Sequence, residues 1–452
     1  MTGMLNGKMP FSAREVALKA LIAYRRNGAW PDLALGGLFE RYDLPLRDRA
    51  LAARISNGVI QNMMLCDYYI EYFSSISLKK LEPAVLDILR LSIYQLIYLD
   101  KIPPNAAVNE GVALAGKLSN PRAAGFVNAV LRKIASAAKS GALPDVAGEA
   151  TQRLSIQYSH PQWLVRELFE VLESDAVELF LIANNSSGVP ISAQVNTLLA
   201  DTDYVLDLLI SGGVEAQRHE WLDGCIELRG AGNITRLSAF KKGYIYIQDA
   251  AARMAVTAAG PRPDDLIIDG CAAPGGKSFA AAIAMKNIGE IIALDINGEK
   301  LRRVEQSAKR LGITIIDAME KDALTPDCAL INKADIVLAD VPCSGFGVIR
   351  KKPEIRYKSE QDITGLPDIQ KQILSSLSQY VKPGGTLLYS TCTVLRRENE
   401  SVIERFLSEN KHFSAEGFSL PGAGRVDSGM ITLWPHINGT DGFFICKLRR
   451  RQ

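Results

Sequence analysis

A chain of 452 residues, 47% apolar and 23% charged, has the composition of a folded globular protein with about three domains. A net charge of +2 excludes nucleic-acid binding through bulk charge, so any basic surface must be local. Seven scattered cysteines, four histidines, no CxxC pair, no leader pattern and no apolar run of roughly 18 residues together predict a reduced, cytoplasmic protein with neither metal nor membrane span.

From Ser12 onward apolar residues recur at helical spacing, first in Val16, Leu18, Ala20 and Leu21, then in Val85, Ile88, Leu89, Ile93 and Leu96. Pro103 and Pro104 end one helix ahead of another carrying Val108, Val112 and Leu114. Residues 1–137 therefore read as a helical bundle, and 138–154, rich in Ala, Ser and Gly with Pro144, as a linker. Between 155 and 242 the pattern changes to strands Ile191–Val195 and Cys225–Leu228 around a helix at Tyr204–Ile210, which predicts a small α+β module. From 243 to 452 apolar runs at Leu266–Ile268, Ile291–Leu294, Ile336–Ala339 and Thr386–Tyr389 alternate with helical segments. Strands apolar on both faces belong to a parallel sheet covered on each side, hence a doubly wound, Rossmann-like α/β domain.

The densest signal is LIIDGCAAPGGKS, Leu266 to Ser278: a buried strand, a loop of small residues, and the start of a helix. A phosphate-binding P-loop needs four residues between its first Gly and the Gly-Lys pair; five separate Gly270 from Gly276, and Pro274 removes an N–H that a phosphate would use. GxGxxG is absent, which argues against NAD. A ligand with an adenosine and no phosphate suits the loop, and S-adenosyl-L-methionine is such a ligand. Asp295, closing the next apolar run, stands where an acid can accept ribose hydroxyls. A purely structural glycine loop remains the alternative at this stage.

Cys343, in ADVPCSGFG, and Cys392, in YSTCT, both fall just past apolar strands, where open α/β sheets bind ligands. Most buried cysteines act only as small apolar residues, and Cys66, Cys225, Cys328 and Cys446 are read so. Cys343 and Cys392 instead sit in polar turns, and Asp340 supplies an acid three residues before Cys343. A thiolate, an acid and a methyl donor together suit methylation of a pyrimidine ring carbon. Addition of a thiolate to carbon 6 makes carbon 5 nucleophilic toward a methyl group, and an acid near ring nitrogen 3 stabilises the charge. The residues alone do not rank the two cysteines.

At these motifs the chain resembles the Sun/Fmu (RsmB-like) family of RNA cytosine-5 methyltransferases. DGCAAPGGKS is similar to that family's cofactor loop, ADVPCSGFGVIRKKPEIRY to its first cysteine segment, and STCTVLRRENE to its second. GYIYIQDAAA and DGFFICKLRR match flanking motifs, while RLSIYQLIYLDKIP, VNEGVALAG and GFVNAVLRK resemble a NusB-type RNA-binding bundle. The resemblance implies Cys392 as nucleophile and Cys343 as the residue aiding product release. It assigns Cys271, Ala272, Ala273, Pro274, Gly275, Gly276, Lys277, Asp295, Asp322 and Asp340 to S-adenosylmethionine, with Asp340 also near the base. Val341, Phe346 and Arg396 depart from the family pattern, the first two at positions able to reshape the base pocket.

Basic residues abut the site in sequence: Arg350, Lys351, Lys352, Arg356 and Lys358 after Cys343, and Arg396 and Arg397 after Cys392. Lys241, Lys242, Lys447, Arg449, Arg450 and Arg451 flank the catalytic part, and phosphate contacts are expected from all of these. The expected partner is small-subunit (16S) ribosomal RNA with the target base single-stranded or flipped out, bound by a monomer. Two rivals stay open: methylation of transfer RNA, and a non-catalytic RNA-binding assembly factor.

Overall fold

The computed structural model describes residues 11–28 and 30–452; the first ten residues of the expected 1–137 domain, and Ala29, lie outside the described residues. The chain forms two compact units that divide between Asn185 and Ser186.

The first unit is helical. Ser12 opens α1 (Ala13–Asn27) with a reciprocal cap: its hydroxyl accepts the Glu15 N–H at 3.2 Å, and the Glu15 carboxylate accepts the Ser12 N–H at 2.9 Å. There follow α2 (Pro31–Arg41), α3 (Leu46–Gln61), α4 (Met63–Phe73), α5 (Pro83–Tyr98), α6 (Pro104–Leu118) and α7 (Pro121–Ser140). Proline stands in the first turn of α2, α5, α6 and α7, where its fixed φ and missing N–H cost nothing. The apolar stripe read in α5 is fully buried at Ile88, Leu89, Leu91 and Ile93, with α6 and α7 packed upon it. The expected linker is shorter than 138–154. Ala137, Ala138 and Lys139 favour helix and carry α7 to Ser140, where Gly141 at φ 67° ends it. Only 141–149 is non-helical before α8 (Ala150–Gln157), α9 (Gln162–Phe169) and α10 (Ser174–Asn184). These helices pack within the first unit: the Ser159 hydroxyl accepts the Met64 and Leu65 N–H groups at 3.1 and 3.2 Å.

The second unit begins with a four-stranded antiparallel sheet, order β2-β3-β1-β4, of β1 (Ile191–Val195), β2 (Glu215–Arg218), β3 (Cys225–Arg229) and β4 (Ile245–Ile247). It carries α11 (Thr202–Ser211) and α12 (Ser238–Lys241). Then come α13 (Ala250–Ala259), β5 (Leu266–Asp269), α14 (Gly276–Ala284), β6 (Glu290–Asp295), α15 (Gly298–Arg310), β7 (Ile316–Glu320) and β8 (Ala334–Asp340). The chain continues through α16 (Glu360–Ile363), α17 (Leu366–Ser378), β9 (Val381–Thr391), α18 (Glu400–Glu409), β10 (Phe413–Ala415), β11 (Phe418–Leu420), β12 (Gly424–Val426), β13 (Met430–Leu433), α19 (Pro435–Asn438) and β14 (Phe443–Arg450).

The main sheet runs β10-β14-β9-β8-β5-β6-β7. The pairs β9–β8, β8–β5, β5–β6 and β6–β7 are parallel, as the doubly apolar runs predict. The sheet is nevertheless mixed, not parallel throughout: β14 lies antiparallel on β9, and β10 and β13 lie antiparallel on β14. One face packs on Met254, Phe279 and Val304 from α13, α14 and α15; the other packs on Leu377, Ile403 and Phe406 from α17 and α18. Because β5, β6 and β8 run parallel, Asp269, Asp295 and Asp340 end at one edge of the sheet.

Candidate active site

At that edge the β5–α14 loop lies across the strand ends. Gly275 caps α14 at φ 100°, a conformation that excludes side chains, and a Cβ there would lie 2.5 Å from the Phe279 ring. The loop is tied to its neighbours rather than free-standing. The Ala273 N–H donates to Asp295 Oδ2 at 3.2 Å, and Asn297 N–H donates to Oδ1 at 2.9 Å. A carboxylate offers about four lone-pair positions, so Asp295 retains acceptor capacity. Beneath the loop the Ser278 hydroxyl donates to Asp269 Oδ2 at 2.7 Å. Burial pushes the Asp269 carboxyl up to about 6, against the pull of Ser278 and Lys277.

A cleft of about 420 Å³ opens between this loop and the ends of β6 and β8. Of the expected cofactor residues, Cys271, Ala273, Asp295, Asp322 and Asp340 line it, together with Cys343 and Cys392. Ala272, Pro274, Gly276 and Lys277 line a smaller neighbouring cavity instead, and Gly275 lines neither, its work being the turn. The sequence reading missed Ile296, Lys300 and Leu324, which also face the cleft. Ile296 and Leu324 are large apolar side chains left exposed, and no periodicity marks such residues beforehand.

Cys343 and Cys392 face each other with their Sγ atoms 3.3 Å apart, both as free thiols. Lys277 Nζ lies 2.6 Å from Asp340 Oδ2, and the Ser390 hydroxyl donates to Asp340 Oδ1 at 2.8 Å. The pair of thiols is asymmetric. A hydrogen bond from Cys343 holds the Cys392 thiol below the usual cysteine range, with Lys277 adding positive charge against the cost of burial. Cys343 is pushed well up by that same bond, by burial, and by the nearby Glu398 and Asp340 carboxylates. Cys66, Cys225 and Cys446 are buried with raised thiols, as expected of residues that fill space, whereas Cys328, read with them, is exposed.

Wholly buried groups hold the two cysteine loops together. Glu398 Oε2 accepts the Ser344 N–H at 2.9 Å and Gln370 Nε2 at 2.8 Å, while the Ser344 and Thr393 hydroxyls meet at 2.8 Å. Asn399 accepts from the Thr391 hydroxyl at 2.6 Å and donates to the Thr393 carbonyl at 3.1 Å. Gly347 N–H donates to the Cys392 carbonyl at 2.9 Å, and a Cβ on Gly347 would collide with the Gly442 carbonyl at 1.8 Å. Sequence reasoning assigned none of these residues a role; the ENE triplet at 398–400 was their one visible sign.

Several expected phosphate contacts are corrected. Arg350 and Lys351 are only 9% and 30% exposed and pair with Asp249 and Asp441. Burial opposes the Asp249 carboxylate, but Lys351 and Arg350 hold it below its ordinary range. Arg356 is fully buried, its Nε donating to the Pro353 carbonyl at 3.1 Å. Lys358 donates to the Ser344 carbonyl at 2.7 Å, bracing the Cys343 loop. These cations fold the site because each, where burial strips its water, has a carboxylate or carbonyl within reach to replace it. Lys241 and Lys242 are exposed, and Arg396 and Arg397 form surface pairs with Glu404 and Glu360. Among the described residues no helix is long and apolar enough to cross a membrane, and no group of acidic, His and Cys side chains could hold a metal ion.

A parallel core with one antiparallel strand, a small-residue loop after β5 and an acid closing β6 define a methyltransferase domain, here joined to a helical unit and a small α+β module. The comparisons with known proteins agree. Family models match for a 16S rRNA methyltransferase RsmB/F over 256–449, the NusB family over 12–136, and the ferredoxin-like domain of RsmF/B-like methyltransferases over 160–235. A probable ribosomal RNA small subunit methyltransferase B of Bacillus subtilis is 37% identical over 97% of this chain and 99% of its own length. The like-named Synechocystis protein is 33% identical over 97% and 99%. The solved structure of PH0851 superposes with a TM-score of 0.80 at 28% identity, covering 97% of this chain and 98% of that one. The chain belongs to the RsmB/F family of ribosomal RNA methyltransferases.

Proposed function

We propose that this protein transfers a methyl group from S-adenosylmethionine to carbon 5 of a cytosine in 16S ribosomal RNA. The observation that carries the reading is the thiol pair: two cysteines 3.3 Å apart, one depressed and one raised, facing a cleft lined by Asp295 and Asp340. The cleft's residues fit an adenosine-bearing ligand. Asp295 has acceptor positions left, Cys271 and Ala273 are small, and the exposed Ile296 and Leu324 offer apolar surface for a flat ring. When bound there, S-adenosylmethionine supplies an electrophilic methyl group.

The chain's own residues prepare the acceptor. Cys392 as thiolate adds to carbon 6, breaking the 5,6 double bond and leaving carbon 5 electron-rich. Lys277, paired with Asp340, brings positive charge to the end of the site where the ring's negative charge develops. Once carbon 5 carries the methyl group, solvent water takes the carbon 5 proton, the double bond re-forms, and the electron pair returns to Cys392 sulfur as the carbon 6 bond breaks. Cys343, whose Sγ lies 3.3 Å from that of Cys392, is the residue set to stabilise the departing thiolate by a hydrogen bond. In this reading the helical unit and the small four-stranded module hold RNA, and the domain of the main sheet does the chemistry.

Bisulfite sequencing of RNA from cells lacking the protein tests this. The expected result is the loss of one 5-methylcytosine from small-subunit ribosomal RNA. A mark lost from transfer RNA, or no mark lost, would overturn it.

A further inference from the structure

Lys277 carries an ammonium into the protein interior. It stands in the first turn of α14, its side chain is 9% exposed, and its Nζ lies 2.6 Å from Asp340 Oδ2. One carboxylate does not replace all the water that an ammonium with three donors gives up. A second group against it is a ring: Nζ lies over the face of Phe443, 5.1 Å from its centroid. That is within the ~6 Å at which the negative face of an aromatic ring attracts a cation.

The ring is fixed by its own strand. Phe443 opens β14, is 4% exposed, and pairs with Leu433 of β13. The two residues before it tie that strand end to the thiol side of the site. Asp441 accepts Arg350 Nε and Lys351 Nζ, both at 2.8 Å. Gly442 N–H donates to the Gly347 carbonyl at 2.8 Å, and Gly347 N–H donates in turn to the Cys392 carbonyl. Asp441 to Phe443 therefore brace the Cys392 loop and the Lys277 ammonium from three consecutive residues.

We propose that Phe443 is a positioning residue, its ring face holding the Lys277 ammonium beside Asp340. The proposal rests on the reaction proposed above, in which the Lys277 charge serves the base that receives the methyl group. A second carboxylate at this place would cancel that charge, and an aliphatic side chain would fill the space without attracting it. A ring face holds a cation and leaves its charge uncancelled. The same charge favours the Cys392 thiolate.

The test replaces Phe443 in the full chain by its 4-fluoro, 3,5-difluoro and 3,4,5-trifluoro analogues, which drain electron density from the ring face and barely change its shape. Phe443→Leu keeps apolar bulk without a ring. Two rates are read near neutral pH. One is alkylation of Cys392 by iodoacetamide, followed on its peptide by mass spectrometry; the other is single-turnover methyl transfer to unmodified small-subunit ribosomal RNA. Both should fall with each fluorine, by on the order of 10-fold at three fluorines and at least as far in Phe443→Leu. The pH at which Cys392 becomes reactive should rise in step. In a Lys277→Met background the fluorine dependence should vanish, because the ring then has no cation to hold. A flat fluorine series, or an equal trend in Lys277→Met, overturns the proposal and leaves Phe443 a core residue. Alkylation needs neither RNA nor methyl donor. If its fluorine trend holds while the unaltered chain transfers no methyl group, the proposed reaction falls and the hold of Phe443 on Lys277 stands.

Discussion

The two walls of the proposed active site are built in different ways. The cofactor wall is local: one strand, one loop and one helix, Leu266 to Ala284, made of small residues whose backbone does the shaping. The thiol wall is assembled at long range. Cys343 and Cys392 come from loops 49 residues apart, and Glu398 and Gln370 bring them together with buried hydrogen bonds. A local wall is damaged where it is touched, whereas an assembled wall can be damaged from positions that never meet substrate.

That contrast is broken first at Glu398. Glu398→Ala strands the Ser344 N–H and the Gln370 amide, and should cost about 2–5 kcal/mol of stability by denaturant unfolding. It should also slow alkylation of Cys392 near neutral pH, since the donor loop that depresses that thiol is released. Glu398→Gln, which keeps one acceptor, should lose much less of both. If Glu398→Ala unfolds like the unaltered protein, the thiol wall does not depend on its buried clasp.

In the cofactor wall, Gly275→Ala puts a side chain at φ 100° and against Phe279, with an expected cost of about 1–3 kcal/mol. Calorimetry should show weaker S-adenosylmethionine binding with Cys392 alkylation unchanged. A matching change in thiol reactivity would mean that the two walls are one structure.

An effect that appears only as a pH dependence concerns Asp269, under the β5–α14 loop. Its carboxyl is raised from 3.8 to about 6, so the protonated form is favoured in the fold. The stability this gives is fully present below about pH 4 and is lost as pH rises to about 6, a span worth on the order of 3 kcal/mol. Asp269→Asn should remove that slope from unfolding curves measured between pH 4 and 7. A slope that survives the substitution would assign it to another group.

The same contrast explains what was legible in the sequence. The β5 strand, its loop and Asp295 follow from periodicity and spacing along one stretch of chain, so this wall of the cleft could be read directly. So could β8 and β9, because doubly apolar runs mark buried parallel strands. Edge strand β7, IDAME, carries two acids among five residues and has no fully buried position, and gave no such mark. The antiparallel β14 was visible as a motif, but not its direction, since FFICKLRR fits either. Arg350, Lys351 and Arg356 looked like surface cations because charge is visible in sequence and burial is not; Asp249 and Asp441, which bury two of them, lie about a hundred residues away on either side. Glu398 was hidden for the same reason.

The central claim is that the paired thiols have unequal roles, with Cys392 attacking and Cys343 releasing. Mixing each cysteine variant with unmodified small-subunit ribosomal RNA and S-adenosylmethionine, then separating protein on a denaturing gel, tests it directly. Cys343→Ala should retain RNA in a covalent, denaturant-resistant adduct, while Cys392→Ala should form no adduct and transfer no methyl group. An adduct on Cys392→Ala, or full methyl transfer by it, would contradict the account.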